Sequence, residues 1–178
     1  MQRIFLIGYM GAGKTTIGKT LAQKLQLSFI DLDQFIEKRY NKSISQIFSE
    51  KGETHFREIE KNVLNEVADF EDVVISTGGG APCFHQNMQR INDAGTSIYL
   101  KTSALELANR LKVGKSIRPL IQNKSQEELI DFIAENLRKR EPFYNRANII
   151  FNTEKMLTDA DIKNIVTQLI DILNNNIS

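Results

Sequence analysis

Short runs of apolar residues alternate with stretches of helical periodicity along most of the chain. The near-continuous apolar character of these runs is typical of strands buried on both faces of a sheet. The pattern predicts strands at Ile4–Ile7, Ser28–Asp31, Val73–Ser76, Ser97–Leu100 and Asn148–Phe151. Strands that alternate with helices in this way predict an α/β fold, with a mostly parallel sheet covered by helices.

The predicted helices carry start and stop signals. Ser103 and Ser125 are each followed three residues later by a glutamate. This spacing predicts a capping box, in which side chains satisfy free N–H groups of the first helical turn. Pro142 predicts the end of the helix that starts after Ser125, because a proline disfavours helical geometry in the residue before it.

Two stretches break the alternation between strands and helices. A helical insert at about residues 33–70 is interrupted at Gly52, and a segment at about residues 112–124 has four basic residues and no acidic one. Binding residues concentrate in segments held by a rigid scaffold, so both stretches are candidates for substrate handling. The length of 178 residues, without repeat or linker, predicts a single domain, residues 1–178.

Composition and charge exclude some classes of protein. Lysine and arginine total 23 and aspartate and glutamate 22, so the chain lacks the basic excess typical of nucleic-acid binding. The N-terminal apolar run is too short for a signal peptide or a membrane span. Cys83 is the one cysteine, which agrees with a reducing compartment and a structural role. We expect a cytoplasmic monomer that binds neither nucleic acid nor membrane.

The phosphate-binding pattern G-x-x-x-x-G-K-[ST] matches Gly8-Tyr-Met-Gly-Ala-Gly-Lys-Thr, within residues 8–16. The match lies between a predicted strand and a predicted helix, which argues against a chance glycine-rich turn. Backbone N–H groups of such a loop point at phosphate oxygens, and the helix N-terminus adds a favourable dipole. Lys14 can reach the β- and γ-phosphates, and the Thr15 hydroxyl can bind Mg²⁺. We expect ATP to contact Gly11, Ala12, Gly13, Lys14, Thr15 and Thr16.

Two carboxylates, Asp31 and Asp33, follow the second predicted strand. Period two places both on the same side of an extended chain, and ligands of an open α/β sheet lie beyond the carboxyl ends of its strands. One carboxylate can then lie near Mg²⁺ and the other near the hydroxyl group that accepts the phosphoryl group. The alternative is that Asp33 only caps the helix that follows.

Further candidate residues each have a functional reading and a structural alternative. Three glycines, Gly78–Gly80, follow the third strand and indicate that some group approaches the backbone closely. Arg57 flanks an apolar helical face, where an arginine is often solvated and paired with nearby glutamates. Arg140 can satisfy the C-terminus of its helix. Arg118 can stabilise charge on a transferring phosphoryl group, unless its segment is only a basic surface loop.

Six motifs in their order resemble the shikimate kinase family and span nearly the whole chain. They are G-x-x-G-x-G-K-T, D-x-D, F-R-x-x-E, G-G-G-A, R-P-L and R-x-P-x-Y. The resemblance implies a P-loop NTPase fold of the adenylate-kinase-like type, with a five-stranded parallel β-sheet of order 2-3-1-4-5 flanked by helices. It also implies that residues 33–70 bind substrate and that residues 112–124 form a lid.

The same resemblance implies an activity, the transfer of the γ-phosphoryl group of ATP to the 3-hydroxyl of shikimate, with Mg²⁺ as cofactor. The products are shikimate 3-phosphate and ADP, in aromatic amino acid (chorismate) biosynthesis. The resemblance implies that Asp33 is the catalytic base. It also implies that Lys14 and Arg118 contact the phosphoryl group during its transfer. Asp31 would bind Mg²⁺ through water, and Arg110 would stack on adenine.

The resemblance also assigns the contacts to shikimate. Arg57 and Arg140 would clamp its carboxylate, which suits the planar, paired N–H groups of arginine. Gly78, Gly79 and Gly80 would lie against its ring hydroxyls. A gluconate kinase is the nearest alternative, and the paired arginines and three glycines disfavour it. A non-catalytic nucleotide-binding regulator is a second alternative, which the presence of all the expected catalytic residues disfavours.

Overall fold

Five parallel strands form one sheet in the computed structural model, which describes residues 2–113, 124–154, 156 and 158–175. The strands are β1 Arg3–Ile7, β2 Ser28–Asp31, β3 Val73–Ser76, β4 Thr96–Lys101 and β5 Ile149–Asn152. Their order is β2-β3-β1-β4-β5, and each neighbouring pair is parallel. The predicted strands and the expected order are therefore confirmed, with strand ends displaced by at most one residue.

Helices connect the strands and flank the sheet. They are α1 Lys14–Leu25, α2 Leu32–Tyr40, α3 Ile44–Val67, α4 Asn87–Ala94, α5 Ala104–Val113, α6 Gln126–Tyr144 and α7 Asp159–Asn175, with a short 3-10 helix at Ala81–Cys83. Strand β1 lies at the centre of the sheet between β3 and β4, and its residues 4–7 are fully buried. The phosphate loop that leaves β1 therefore starts from a buried central strand.

Burial differs between the centre and the edges of the sheet. Strands β1 and β3 are buried along almost their whole length, as their apolar runs predict. The edge strand β5 alternates instead, with Ile149 and Phe151 buried and Ile150 exposed. The other edge strand, β2, has no fully buried residue. The expectation that all strands are buried on both faces is thus wrong for β2 and β5, because an edge strand is covered less completely than a central one.

The helical insert consists of two helices. Helix α2 ends at Asn41, whose φ of 49° is left-handed, and α3 begins with a capping box between Ser43 and Gln46. The sequence carries this S-x-x-Q signal, but the prediction did not use it. Gly52 has φ 80° and ψ 170° inside α3, so the predicted interruption at this glycine is confirmed as a kink.

Helix α6 continues past the proline that was predicted to end it. The predicted capping box at Ser125 is present, but Pro142 lies inside the helix, which ends at Tyr144. The last turn closes because the Asn145 N–H donates to the Glu141 carbonyl at 2.8 Å. The three extra residues keep Arg140 and Tyr144, four positions apart, on the same face of α6.

Candidate active site

A cavity of about 800 Å³ lies at the carboxyl end of the sheet, where open α/β folds bind ligands. Its walls come from the ends of β1, β2 and β3 and from α5. It brings together many of the predicted site residues, namely Gly11, Gly13, Lys14, Thr15, Thr16, Asp31, Asp33, Gly79 and Arg110. Ala12 is buried within the loop, and its N–H donates to the Tyr9 carbonyl at 3.2 Å.

The phosphate loop has backbone geometry that suits anion binding. Gly13, the N-cap of α1, has φ 95° and ψ 12°, a left-handed conformation in which glycine is strongly favoured. The first turn of α1 itself contains no acidic residue, and the N–H groups and helix dipole at this end favour an anion. Lys14 Nζ donates to the carbonyls of Gly8 at 2.8 Å and Tyr9 at 3.0 Å. The ammonium group is thereby held against the loop.

Asp31 links the phosphate loop to α2. Its Oδ2 accepts a hydrogen bond from Thr15 Oγ1 at 2.8 Å, and its Oδ1 accepts from the Gln34 N–H at 3.3 Å. Asp31 is therefore the N-cap of α2, and the alternative that Asp33 caps this helix is wrong. Asp33 lies within the first turn of α2 and does not cap it. Both carboxylates line the cavity.

The surroundings of Asp33 disfavour its negative charge. Burial raises the pKa of Asp33 above its ordinary value, and the nearby carboxylate of Asp31 raises it further, with Lys14 acting in the opposite direction. Asp33 also lies close to the glycine turn after β3. A Cβ atom added at Gly78 would come within 2.7 Å of Asp33 Oδ1. The absence of a side chain at Gly78 thus makes room for this carboxylate.

Arg57 is held by two glutamates of its own helix. Its Nη1 donates to Glu60 Oε2 at 2.7 Å, and its Nη2 and Nε donate to Glu53 Oε1 at 3.0 and 3.3 Å. The pairing foreseen as the structural alternative is therefore present, but Arg57 is not solvated, because its side chain is only 11% exposed. A guanidinium has five N–H groups, so these three bonds leave two for a ligand.

Glu60 is an acidic residue of the site to which the sequence assigned no role. It is 1% exposed. Burial raises the pKa of Glu60, although the charge and hydrogen bond of Arg57 oppose the rise. The spacing of three residues from Arg57 on one helix indicates an ion pair, but the depth of burial depends on packing against the glycine turn.

Each glycine of the turn after β3 lies against a different charged side chain. Gly78 faces Asp33, a Cβ atom at Gly79 would lie 3.4 Å from Arg140 Nη1, and a Cβ atom at Gly80 would lie 2.7 Å from Arg57 Nη1. The Tyr144 hydroxyl donates to the Gly79 carbonyl, which ties α6 to the same turn. The predicted close approach is therefore confirmed, and it gathers two cations and one carboxylate beside the phosphate loop.

The donor atoms at Thr15 and Asp31 fit a magnesium ion. Mg²⁺ in phosphoryl-transfer sites is bound by one or two carboxylates, several waters and the phosphates of the substrate. Across the described part of the chain, no group of three or more His, Cys, Asp or Glu is placed to hold a metal ion by itself. Thr15 and Asp31, 2.8 Å apart, would complete a site formed mainly by a nucleotide.

Arg110, on α5, is another of the residues that line the cavity. Its Nε donates to Glu106 Oε1 at 2.8 Å, and its Nη2 donates to the carbonyls of Thr153 and Glu154. The stacking of Arg110 on adenine stays a prediction. Met156 lines the same cavity and was missed, because nothing in its sequence context marks it.

Some predictions concern other parts of the chain. Arg118 and most of the segment 112–124 lie outside the described residues, so their roles stay predictions. Burial raises the pKa of the Cys83 thiol to about 11, so the thiol is protonated near neutral pH, as a structural cysteine should be. Among the helices described, none has both the length and the apolar character needed to cross a membrane.

Comparisons with known proteins agree on one family. The family model described as shikimate kinase matches residues 10–173. A curated shikimate kinase from Parabacteroides distasonis is 60% identical over 173 residues, which cover 97% of this chain and 100% of that one. Another from Bacteroides fragilis is 53% identical over 174 residues, covering 98% of this chain and 97% of its own.

Solved structures give the same result. The crystal structure of shikimate kinase from Bacteroides thetaiotaomicron is 50% identical, with a TM-score of 0.95, and the match covers 97% of this chain and 98% of that one. A shikimate kinase from Acinetobacter baumannii, solved in complex with shikimate, is 32% identical with a TM-score of 0.85. That match covers 99% of this chain and 94% of the other.

Proposed function

This chain belongs to the shikimate kinase family, and from that premise we propose that its cavity transfers the γ-phosphoryl group of ATP to the 3-hydroxyl of shikimate. The products are shikimate 3-phosphate and ADP, in aromatic amino acid (chorismate) biosynthesis. One observation carries the assignment of the site. The glycine turn brings Asp33, Arg140 and Arg57 together at the end of β3, and Asp33 and Gly79 line the same cavity as the phosphate loop.

The phosphate loop binds ATP. N–H groups of residues 11–16 point at the phosphate oxygens, and Lys14 supplies a positive charge to the β- and γ-phosphates. Thr15 and Asp31 would hold Mg²⁺ together with the nucleotide, with Asp31 acting through water. When bound, the ion would supply positive charge to the phosphate oxygens during transfer. Arg110, which lines the same cavity, stacks on the adenine ring.

The glycine turn and its charged neighbours bind shikimate. Arg57 and Arg140 take the carboxylate, and the two N–H groups that Arg57 does not give to Glu53 and Glu60 allow a bidentate contact. The ring hydroxyls lie against Gly78–Gly80. The positive charges that bind the acid are thus separate from Lys14, which binds the phosphates.

Asp33 acts as the base. The hydroxyl oxygen of shikimate forms a bond to the γ-phosphorus while the bond between that phosphorus and the β–γ bridging oxygen breaks. Asp33 takes the hydroxyl proton, and ADP leaves with the bridging oxygen. A carboxyl pKa raised by burial makes Asp33 a stronger base than an exposed aspartate, closer to the working pH. Arg118 is expected to stabilise the transferring group, and residues 112–124 to close over it.

We also propose that the protein is a cytoplasmic monomer with a single kinase domain. The phosphate loop, Asp33 and both arginines come from one chain, so the described site needs no second copy. The single cysteine agrees with a reducing compartment. Light scattering coupled to size exclusion, with and without substrates, tests the monomer, and a single mass near 20.3 kDa is expected.

Product analysis tests the proposed reaction. The wild-type protein is incubated with ATP, Mg²⁺ and shikimate, and the phosphorylated product is followed by ³¹P NMR. A phosphate ester coupled to the proton on carbon 3 of shikimate is expected, together with ADP. Inorganic phosphate alone, or an ester at another hydroxyl, contradicts the proposal.

A further inference from the structure

One aromatic side chain near the glycine turn has no role in the account above. Phe84 follows the 3-10 helix Ala81–Cys83 directly, and its ring lies over the guanidinium of Arg57. The distance from Arg57 Cζ to the ring centroid is 4.1 Å, against 5.2 Å for Phe56 and 5.9 Å for Phe48. Phe84 is 37% exposed.

The backbone holds this ring in place independently of its side-chain packing. Asn87, which is buried, donates from its backbone N–H to the Phe84 carbonyl at 2.8 Å and from Nδ2 to the Ala81 carbonyl at 2.9 Å. His85, which follows Phe84, has its Nε2 atom 3.3 Å from Oε1 of Glu58 in α3. The loop conformation should therefore survive a change of the Phe84 side chain.

The contacts of Arg57 divide between its edges and its face. Glu53 and Glu60 accept hydrogen bonds from the N–H groups at the edges of the guanidinium. A ring stacked on the face restricts motion out of the guanidinium plane, and the weakly hydrated face of a guanidinium is covered at little cost. The two remaining N–H groups are then held in one direction.

We infer that Phe84 is a positioning residue that orients Arg57 for bidentate binding of the substrate carboxylate. The inference rests on the proposed function, because the carboxylate is that of shikimate. Phe84 acts through Arg57 and does not touch the reacting atoms. Its loss therefore weakens acid binding and leaves phosphoryl transfer in the bound complex intact.

Kinetics of three variants test this role. Phe84→Leu keeps an apolar side chain but removes the aromatic face, and Phe84→Tyr restores the face. Phe70→Leu is the matched control, because Phe70 is 38% exposed and packs edge-on to Phe35. We expect Phe84→Leu to raise the shikimate KM about two- to thirtyfold, the factor that corresponds to the usual range for a cation–aromatic contact. The kcat and the ATP KM should change little, and Phe84→Tyr and Phe70→Leu should match the wild type.

Two outcomes overturn the inference. One is a normal shikimate KM in a folded Phe84→Leu protein, and the other is an equal rise in Phe84→Leu and Phe84→Tyr, which would indicate a purely steric role. Calorimetric titration with shikimate in an Arg57→Met background gives a second measurement, in which Phe84→Leu should weaken binding no further. A wild type that neither binds nor phosphorylates shikimate would show instead that the proposed function itself has failed.

Discussion

Gly80 lies so close to Arg57 that a Cβ atom at Gly80 would come within 2.7 Å of both Nη1 and Nη2 of the guanidinium. The backbone of Gly80 is ordinary, with φ −88° and ψ −22°, a conformation open to any residue. A side chain is therefore excluded by the arginine and not by backbone strain. This glycine belongs to the acid-binding site as much as Arg57 does.

Gly80→Ala should displace the Arg57 guanidinium and weaken shikimate binding. We expect the shikimate KM to rise roughly ten- to hundredfold, from the loss of about 1.5–3 kcal/mol for hydrogen bonds to a charged group. The ATP KM should stay near normal. Gly52→Ala is the control, since a Cβ there meets no atom within 4 Å but strains a backbone with φ 80°, which should cost stability alone. A Gly80→Ala protein with normal shikimate KM would argue against this placement of Arg57.

Arg57→Lys keeps the positive charge but loses the planar pair of N–H groups. Steady-state kinetics should show a shikimate KM about ten- to hundredfold higher, the effect of losing about 1.5–3 kcal/mol, with the ATP KM little changed. If Arg57 served only to pair with Glu53 and Glu60, the melting temperature would fall and the shikimate KM would not change.

Asp33→Asn separates catalysis from capping. The amide cannot accept the hydroxyl proton, so kcat should fall by roughly 10²–10⁴, the usual contribution of a positioned base. Stability should not suffer, because Asp31 and not Asp33 caps α2. A folded Asp33→Asn protein that keeps more than about a tenth of the wild-type kcat would remove Asp33 from the role of base.

The difference in stability between the wild type and Asp33→Asn should depend on pH. The pKa of Asp33 is raised in the folded protein, chiefly by burial, so the native state holds this proton more tightly than the unfolded chain does. The wild type therefore loses stability as the pH rises from the ordinary aspartate value of 3.8 through the raised one. Thermal melts of the two proteins should agree at the acid end and diverge toward neutral pH, with Asp33→Asn the more stable. A constant difference across this range would contradict the burial of this charge.

Asp31→Asn should weaken Mg²⁺ binding and should not impair transfer of the hydroxyl proton. Asparagine caps a helix about as well as aspartate, so α2 should be retained. The Mg²⁺ concentration for half-maximal rate should rise, and added Mg²⁺ should partly restore the rate, which it should not do for Asp33→Asn. An unchanged Mg²⁺ requirement would leave Thr15 and the nucleotide as sufficient ligands.

Local sequence patterns predicted where the strands and helices lie, but not how the strands pair or how deeply each one is buried. The apolar runs placed all five strands, and the loop motif placed Lys14 and Thr15 at the start of a helix, because these features depend on neighbours in sequence. The strand order came from the family resemblance, since no local pattern determines which strands pair. The exposure of Ile150 was missed because it depends on which strand lies at the sheet edge.

The site residues show the same division. Asp31 and Asp33 were found together, but their roles in capping depended on where α2 begins, and helix boundaries shift by a residue or two with tertiary context. Phe84 was missed as a neighbour of Arg57, because α3 and the turn after β3 meet only in the folded chain. The deep burial of Glu60 was missed for the same reason. Three glycines in a row indicated a close approach, but the sequence did not reveal which charged group each one faces.

The most direct test of the account is ADP release in a coupled assay with ATP and Mg²⁺. The acceptors are shikimate, gluconate, quinate and nucleoside monophosphates, each offered separately. Lys14→Ala, purified in parallel, reports any contaminating kinase, because its own turnover should be abolished. The account predicts that shikimate stimulates the wild type far more than any other acceptor. Turnover that responds to gluconate and not to shikimate would contradict it.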